Sequence, residues 1–336
     1  MKSTRIQMDH GAGGRASYDL VANTFMPALA NPILAELNDS ALLDFHGLRL
    51  AMSTDSYVID PIFFPGGDIG SLAVHGTVND LAMRGAQPSY LSVGFILEEG
   101  FELTDLERLL NSMAMAAQEA KVQVVAADTK VVERGKADRI FINTAGVGAI
   151  PAGVNIAVQN AKTGDLVLIN GSMGDHGIAV LSTREGLSFQ TEIKSDSAPL
   201  NGLVQSILEV SRNVHVLRDP TRGGVATALN EVAHLSGVGI RVQETRLPVR
   251  PAVRAACEML GLDPLYIANE GKVIVFVAPE DADTVLAAMR QHPLGKDSCI
   301  IGEVVSEFAG RVVLQTEIGG SRIVDMLSGE QLPRIC

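Results

Sequence analysis

Two different hydrophobic patterns follow one another in the first half of the chain. Along residues 47–58 apolar and polar side chains alternate, which is typical of a half-buried strand. Residues 68–84 instead predict a helix, because Asp68 can cap its start and Gly85 can end it. The same reasoning predicts four further elements in this half, namely strands at 90–97, 122–126 and 140–150 and a helix opened by a Thr104-x-x-Glu107 capping box.

A second domain is predicted after residues 151–153, where Pro-Ala-Gly interrupts the pattern. We place the boundary near residue 155, which gives domains 1–155 and 156–328 and a tail 329–336. The second half mixes both types of element, with strands predicted at 166–169, 214–217, 272–277 and 300–304 and helices near 176–184, 200–211, 222–236 and 280–291. This mixture predicts an α/β or α+β fold.

The composition and net charge limit the kinds of molecule that this protein is expected to bind. With 336 residues and 46% hydrophobic content, the chain can form two domains with their own cores. A net charge of -12 disfavours general affinity for nucleic acid or for an anionic membrane. The N-terminus lacks the apolar core of a signal peptide and no apolar stretch can span a bilayer, so a cytoplasmic location is expected.

Three acidic residues, Asp55, Asp80 and Asp128, each follow or interrupt an apolar element. An ionised carboxylate is unfavourable there unless a positive charge meets it. Magnesium prefers oxygen ligands and binds nucleotide phosphates beside a few carboxylates, so these residues are candidate ligands of MgATP. The alternative is that they are unrelated caps and turn residues.

Two glycine-rich segments can present backbone N–H groups to phosphate: residues 10–14, with Gly11, Gly13 and Gly14, and residues 171–177. Neither segment matches the P-loop or the dinucleotide fingerprint. Turns that need positive φ explain such clusters equally well.

A sharper anion site is predicted at residues 219–224, which read Asp-Pro-Thr-Arg-Gly-Gly. Thr221 can cap the helix that follows, while Arg222 and the exposed amides can bind an anion. An ordinary capped helix is the alternative. Further along, Glu270 directly precedes an apolar strand, where partial burial can raise its pKa into a range useful for a base; a simple turn is again the alternative.

The chain ends on Cys336, one of three widely spaced cysteines that include no C-x-x-C pair. Neither a disulfide framework nor a zinc site is indicated. The tail contains Pro333, which prevents a continuous helix, and its eight residues reach on the order of 25 Å when extended. A terminal thiol on such a tail predicts a mobile carrier, although termini are also commonly disordered without function.

Taken together, six segments resemble the HypE family of hydrogenase maturation factors. These are Thr54-Asp55-Ser56, Asn79-Asp80-Leu81-Ala82, Asp128-Thr129-Lys130-Val131, Asp219-Pro220-Thr221-Arg222-Gly223-Gly224, Asn269-Glu270-Gly271 and Pro333-Arg334-Ile335-Cys336. The first three are also similar to the wider superfamily of aminoimidazole ribonucleotide synthetase, selenophosphate synthetase and thiamine-monophosphate kinase. The ending is specific to HypE.

The resemblance spans almost the whole chain and implies an aminoimidazole ribonucleotide synthetase-like fold. It further implies a homodimer paired through the N-terminal sheets, with ATP bound near that interface and the C-terminal domain completing each site. In HypE the terminal cysteine receives a carbamoyl group from HypF, and ATP drives dehydration of the thiocarbamate to a thiocyanate. Cyanide then passes to iron on the HypC-HypD complex for the [NiFe] hydrogenase centre.

By this resemblance Cys336 is the carrier, and ATP and Mg²⁺ are the cofactors. Asp55, Asp80 and Asp128 are the implied metal ligands. Glu270 and Lys130 are implied in removing the proton and orienting the thiocarbamate, and which of them is the base stays open. The remaining implied nucleotide contacts are Gly11, Gly13, Gly14, Asn79, Asp219, Thr221 and Arg222.

Two rival functions are weighed against this one. A selenophosphate synthetase uses a Cys or selenocysteine in its N-terminal glycine-rich region, whereas no Cys precedes Cys257 here. An ATP-sensing scaffold, with Cys336 on a docking tail, would never convert a carbamoylated thiol to the nitrile.

Overall fold

The structure, a computed structural model, describes residues 5–29, 31–187, 193–329 and 331–336. The expected start of the N-terminal domain, residues 1–4, and Glu330 of the tail lie outside the described residues. Within them the chain forms two main sheets with helices packed against them, which confirms the predicted mixed α/β class.

The first sheet has the strand order β1-β2-β7-β5-β6. Its strands are Ala41–Phe45 (β1), Leu48–Tyr57 (β2), Gln87–Glu98 (β5), Gln123–Val132 (β6) and Ile140–Ala149 (β7), and a small hairpin joins Phe63–Phe64 (β3) to Gly67–Asp68 (β4). β5 and β6 are parallel and the other pairs in this sheet are antiparallel.

Helices cover one face of this sheet. Ile69–Met83 (α3) contacts β2 and β7, and Leu103–Ala120 (α4) packs on α3. Asp68 caps α3 as predicted, since its carboxylate accepts from the Ser71 amide at 2.9 Å. The predicted capping box at Thr104 is wrong, because the N-cap of α4 is Glu102, two residues earlier, and it forms no side-chain cap bond.

The second sheet has the strand order β14-β13-β10-β12-β8-β11-β9. Its strands are Leu166–Ile169 (β8), Val214–Arg218 (β9), Gly239–Gln243 (β10), Ile274–Val277 (β11), Cys299–Val305 (β12), Val312–Gln315 (β13) and Ser321–Val324 (β14). The helices of this half are Asp175–Arg184 (α5), Asn201–Val210 (α6), Gly224–Ser236 (α7), Pro251–Leu260 (α8) and Ala282–Gln291 (α9).

Shorter helical pieces complete the described elements. Near the N-terminus Arg15–Leu20 (α1) and Met26–Leu29 (α2) flank a π-helical turn, Val21–Phe25. The 3₁₀ turns are Met8–Gly11, Leu34–Glu36, Val158–Asn160, Glu244–Arg246, Pro264–Tyr266 and Pro293–Gly295. No helix in the described ranges is both long and apolar enough to cross a bilayer.

One hydrophobic cluster joins the two halves of the molecule. It contains Leu81 of α3 and Ile150 from the first half together with Leu168 and Val275 of the second sheet, all of them buried. Side chains near the C-terminal ends of β2 and α3 and just after β9 are therefore held beside one another. This junction is where the candidate site lies.

Candidate active site

Carboxylates from both halves converge on one cavity of about 290 Å³, which we call the acidic cavity. Asp55 reaches it from β2, Asp80 from α3 and Asp219 from the loop after β9. Asp80 is the residue of α3 that is not fully buried, and its carboxylate accepts from Ser53 Oγ at 2.6 Å. The structure thus brings two of the three predicted metal ligands together.

The electrostatics of this cavity favour a cation. Burial and the nearby charges of Asp219 and Asp55 raise the pKa of Asp80 well above its ordinary value. Burial together with the charge of Asp39 raises the pKa of Asp219 to about 7. Several acids that raise one another's pKa form a site that a positive ligand would stabilise.

Three charged residues of the acidic cavity were missed by the sequence reasoning: Asp39, Arg218 and Glu231. Arg218 lies between the two acids and pairs with both, and their charges raise its pKa despite burial. Asp39 lies in the loop before β1, and the hydrophobic pattern of this loop does not indicate a functional residue. Arg218 adjoins Asp219 directly, so it was the one that the 219–224 motif could have indicated.

Cys336 lies in a second, smaller cavity of about 70 Å³, which we call the thiol cavity. The tail is docked in this structure, and Cys336 packs against the hydrophobic core of the first half. Burial raises the pKa of its thiol to about 12, and the neighbouring charges of Glu270 and Asp55 contribute to the rise. Mobility of the tail stays a prediction.

Arg222 is a wall of both cavities. The charges of Cys336, Asp55 and Glu270 all raise its pKa, the thiol having the largest effect. Its Nη1 atom donates to the carbonyl of Gly11 at 2.9 Å. The guanidinium therefore stands between the thiol and the acidic cavity.

Glu270 is 3% exposed and its Oε1 atom has no hydrogen-bond partner among the described residues. Burial and the charges of Asp219 and Asp196 raise its pKa well above the ordinary value. A carboxyl with a raised pKa and a free oxygen can exchange a proton with a group placed beside it. Because its charge acts on Cys336, that group can be carried by the thiol.

The backbone around Glu270 is fixed from several sides. Asp196 accepts from the amides of Glu270 and Gly271 at 3.1 and 3.3 Å and pairs with Lys272 at 2.8 Å. A Cβ atom at Gly271 would lie 1.8 Å from the carbonyl oxygen of Asp196, so only glycine fits. Asn269 accepts from the Gly174 amide at 2.7 Å, which ties the second glycine-rich loop to this turn.

The N-terminal glycines close over both cavities. Gly11 lines the thiol cavity and Gly13 lines the acidic cavity. Gly14 lines neither, and a Cβ atom there would lie 2.2 Å from the carbonyl oxygen of Leu327. The amide of Arg15 donates to this same oxygen at 2.8 Å, so the loop is held against the segment that leads into the tail.

Asp128 and Lys130 do not join this site within one chain. They lie inside β6 rather than after it as predicted, both are exposed, and Lys130 Nζ is 2.5 Å from Asp128 Oδ2. Strand register aligns Asp128 with Gly94, Gly94 with Asn143 and Asn143 with Ser56, so Asp128 lies three strands, about 14 Å, from β2. It shares the open face of the sheet with Ser56, whereas Asp55 faces the helices.

Two other predicted residues have different roles from those expected. Thr221 lines the acidic cavity but does not cap α7, because the N-cap is Gly223 with φ 77° and no side-chain cap bond forms. Asn79 is buried and lines neither cavity. Its amide donates to the carbonyls of Ala198 and Glu270 at 3.1 and 3.2 Å, so it connects the two halves.

Comparisons with known proteins agree with this arrangement. Residues 37–150 match the family model of the AIR synthase related protein N-terminal domain, and residues 162–315 match that of its C-terminal domain. A carbamoyl dehydratase HypE from Cupriavidus necator is 57% identical over 100% of this chain and 96% of its own length.

Two solved structures have a fold similar to that of this chain. A HypE–HypF complex contains a chain 51% identical to this one, with a TM-score of 0.88 over 92% of this chain and 99% of that one. A HypE in complex with ATP is 54% identical, with a TM-score of 0.84 over 99% of this chain and 100% of that one.

Proposed function

The chain belongs to the AIR synthase related proteins and, among them, to the HypE carbamoyl dehydratases, and from this membership we propose that it dehydrates a carbamoyl group carried on its own Cys336. The product is a thiocyanate that supplies the cyanide ligand of the [NiFe] hydrogenase iron. The observation that carries the proposal is the position of Cys336 in a cavity that shares Arg222 with the acidic cavity, within reach of the charge of Glu270.

The acidic cavity is the proposed binding site for ATP. A related HypE was solved in complex with ATP, and the cavity here offers Arg222 and the Gly13 loop for phosphates. No three described acidic, histidine or cysteine side chains are arranged to share one metal ion. Mg²⁺ bound with a nucleotide needs only one or two carboxylates beside phosphate oxygens, so Asp55 and Asp80 suffice to hold it.

The oxygen of a carbamoyl group is a poor leaving group, so it must be activated before the C–O bond can break. The carbamoyl oxygen attacks the γ-phosphorus of ATP and ADP departs, so the oxygen leaves later as phosphate. The nitrogen gives up its two protons, and the C–O bond electrons depart with phosphate as the C≡N bond forms. Mg²⁺ would neutralise charge on the transferred phosphoryl group.

Glu270 and Lys130 are the two candidate proton acceptors. The charge of Glu270 acts on the thiol of the same chain, and one buried oxygen of its carboxyl has no hydrogen-bond partner among the described residues. Lys130 lies on the open face of the first sheet, so in our proposal a second copy of the chain supplies it.

An apolar sheet face supports this homodimer. Exposed apolar side chains cover the first sheet on the side away from α3 and α4, among them Met52, Tyr90 and Ile96 at 44%, 50% and 44% exposure. β6, at the edge of the sheet, carries Asp128 and Lys130 on this same face, since they are paired with Gly94 and Ile96. Two such faces packed together would remove apolar area from water and move each Lys130 towards the other subunit.

HypF and the HypC-HypD complex are the proposed partners. A related HypE forms the solved HypE–HypF complex, which supports HypF as the carbamoyl donor. HypC-HypD as the cyanide acceptor rests on family membership alone.

The test is intact-mass analysis of the protein after incubation with HypF, carbamoyl phosphate and MgATP. We expect one carbamoyl group to be added at Cys336, followed by ATP-dependent loss of one water, and no change in Cys336→Ala. Glu270→Gln should stop at the thiocarbamate, with dehydration slowed by about 10² or more. ATP turnover without modification of Cys336 would instead favour a small-molecule kinase or synthetase.

A further inference from the structure

Asn143 is a polar residue in the middle of an otherwise apolar strand face. It lies on the open face of the first sheet, where the other positions of β7 are Phe141, Ala145, Val147 and Ala149. Asparagine is disfavoured inside strands, because it packs poorly there and its side chain competes for backbone hydrogen bonds. Its presence at this position therefore needs a local reason.

The reason lies on the neighbouring strand β2, where Asn143 is paired in register with Ser56. The side-chain nitrogen of Asn143 donates to the carbonyl of Asp55 at 2.8 Å and to Ser56 Oγ at 3.0 Å. A carbonyl oxygen can only accept, so the nitrogen of the side-chain amide, and not its oxygen, must point this way. Both of its N–H groups are thus used to hold Asp55 and Ser56.

Ser56 connects the two cavities. Its backbone amide donates to Asp55 Oδ1 at 2.7 Å, and Asp55 lines the acidic cavity. Its side chain lies on the opposite side of the strand, and Ser56 lines the thiol cavity together with Cys336. The amide of Val58 donates to the Cys336 carbonyl at 3.0 Å, so the terminal residue lies beside this end of β2. Because Ser56 Oγ accepts from Asn143, its own proton is available to a group in the thiol cavity.

We propose that Ser56 donates a hydrogen bond to the carbonyl oxygen of the group carried on Cys336, and that Asn143 is the positioning residue that directs the serine. What the thiol carries rests on the proposed function. A carbonyl oxygen has two lone pairs, so one can accept from Ser56 while the other is free to attack the γ-phosphorus. The N–H groups of the carbamoyl are then left for Glu270 Oε1, which has no partner among the described residues.

These two contacts would fix the orientation of a group whose two ends differ. A thiocarbamate has an oxygen that accepts and a nitrogen that donates, and rotation about its S–C bond exchanges their places. A donor from Ser56 and an acceptor from Glu270 together select one of the two orientations. In that orientation the oxygen can be phosphorylated and the nitrogen can lose its protons.

The direct test is the infrared spectrum of the carbamoylated full-length protein. The protein is treated with ¹³C-labelled cyanate, which adds a carbamoyl group to a thiol without HypF or ATP. The spectrum of Cys336→Ala treated in the same way is subtracted, which isolates the carbonyl band of the group on Cys336. Ser56→Ala removes the hydroxyl but keeps the backbone amide that binds Asp55, whereas Ser56→Thr keeps both.

Rates are measured on the same variants. Carbamoylation by HypF and dehydration with saturating MgATP are timed separately by intact mass, and ATP affinity is measured by calorimetry. Asn160→Ala is the matched control for Asn143→Ala. The Asn160 side chain donates to the carbonyl of Asn155 at 3.0 Å and lines neither cavity, so its loss should change neither the band nor the rates.

We expect the carbonyl band of Ser56→Ala to lie at higher frequency than that of wild type, because a carbonyl that loses a hydrogen bond is less polarised. Dehydration should slow about tenfold, the effect of one lost hydrogen bond, while carbamoylation and ATP affinity stay unchanged. Ser56→Thr should recover the wild-type band and most of the rate.

Asn143→Ala should slow dehydration by a similar factor. The double variant Ser56→Ala with Asn143→Ala should be no slower than the slower single variant, because the two residues act as one unit. Losses that multiply in the double variant would overturn the positioning role of Asn143.

An unshifted band in Ser56→Ala would overturn the hydrogen bond itself. A shifted band with undiminished dehydration would overturn its role in orienting the group. A shifted band in a protein whose wild type never forms thiocyanate would uphold the contact and refute the proposed function alone.

Discussion

Asp219 shows what a sequence motif reveals about one side chain and what it leaves out. It follows β9 directly, and burial and the neighbouring Asp39 raise its pKa to about 7. The sequence places it in a motif with Arg222 but does not show that four other acids line the same cavity. The acids come together because β2, α3 and β9 all end near one junction between the two halves. The pattern of a single segment does not show which other segments lie beside it.

The titration of Asp219 predicts how folding stability depends on pH. Its ordinary pKa is 3.8, so the folded state holds this proton more tightly than the unfolded chain does. Its contribution to the unfolding free energy is fully present below pH 3.8 and is lost as pH rises through about 7. Asp219→Asn should reduce this loss by more than about 1 kcal/mol.

Chemical denaturation of wild type and Asp219→Asn at pH 5 and pH 8, without nucleotide or divalent cation, measures this effect. Asp297→Asn is a suitable control, because Asp297 is an exposed acid of the second half. Equal pH dependence in wild type and Asp219→Asn would contradict the prediction.

At the scale of elements, the strands and helices that the pattern predicts are mostly those that pack on both sides or carry a clear cap. β8 coincides with its predicted range, and β2, α3 and β11 differ from theirs by few residues. The edge strand β14 and its neighbour β13 were missed, as were β1 and β10, because strands of four or five residues carry little periodicity. β6 runs past its predicted end because pairing with β5 extends it through Asp128 and Lys130.

Helix α3 leads to a prediction about Asn79. Its Oδ1 atom accepts from the Leu200 amide at 2.7 Å, in addition to the two carbonyls that its amide group reaches. Asn79→Ala leaves these buried groups unpaired, which should cost about 2–3 kcal/mol of folding stability and displace the Glu270 backbone. Dehydration of carbamoylated protein should slow at least about tenfold, whereas ATP affinity should change little.

Asn230→Ala is the matched control. Asn230 bonds the carbonyls of Ala226 and Val324 with its amide, within the second half. It should lose stability without a comparable loss of dehydration rate. A large drop in ATP affinity of Asn79→Ala, measured by calorimetry, would show that Asn79 is a nucleotide contact after all, as the family resemblance implied.

At the scale of the whole molecule, the first sheet lies between residues that the resemblance placed in one site. Asp55 lies on the helix-covered side of the sheet and Asp80 on α3 itself, whereas Asp128 and Lys130 lie on the far side at the edge strand. Sequence motifs record which residues take part in the chemistry and not which copy of the chain supplies them. A shared site in a homodimer reconciles the two.

Mixing inactive variants tests this shared site. Lys130→Ala and Cys336→Ala should each fail to form thiocyanate, but after subunit exchange the mixture should recover about a quarter of wild-type product, since half of the dimers are mixed and each has one complete site. Glu270→Gln mixed with Cys336→Ala should recover none, because Glu270 and Cys336 act from the same chain. Recovery in neither mixture would place Lys130 outside the shared site.

Arg222 forms part of the wall of both cavities, so their occupancies are thermodynamically linked. If a nucleotide stabilises the arginine in the position that favours the docked tail, then the docked tail must tighten nucleotide binding by the same factor. Docking of the tail would in this way raise the affinity for ATP, and an enzyme whose tail is undocked would be spared idle hydrolysis.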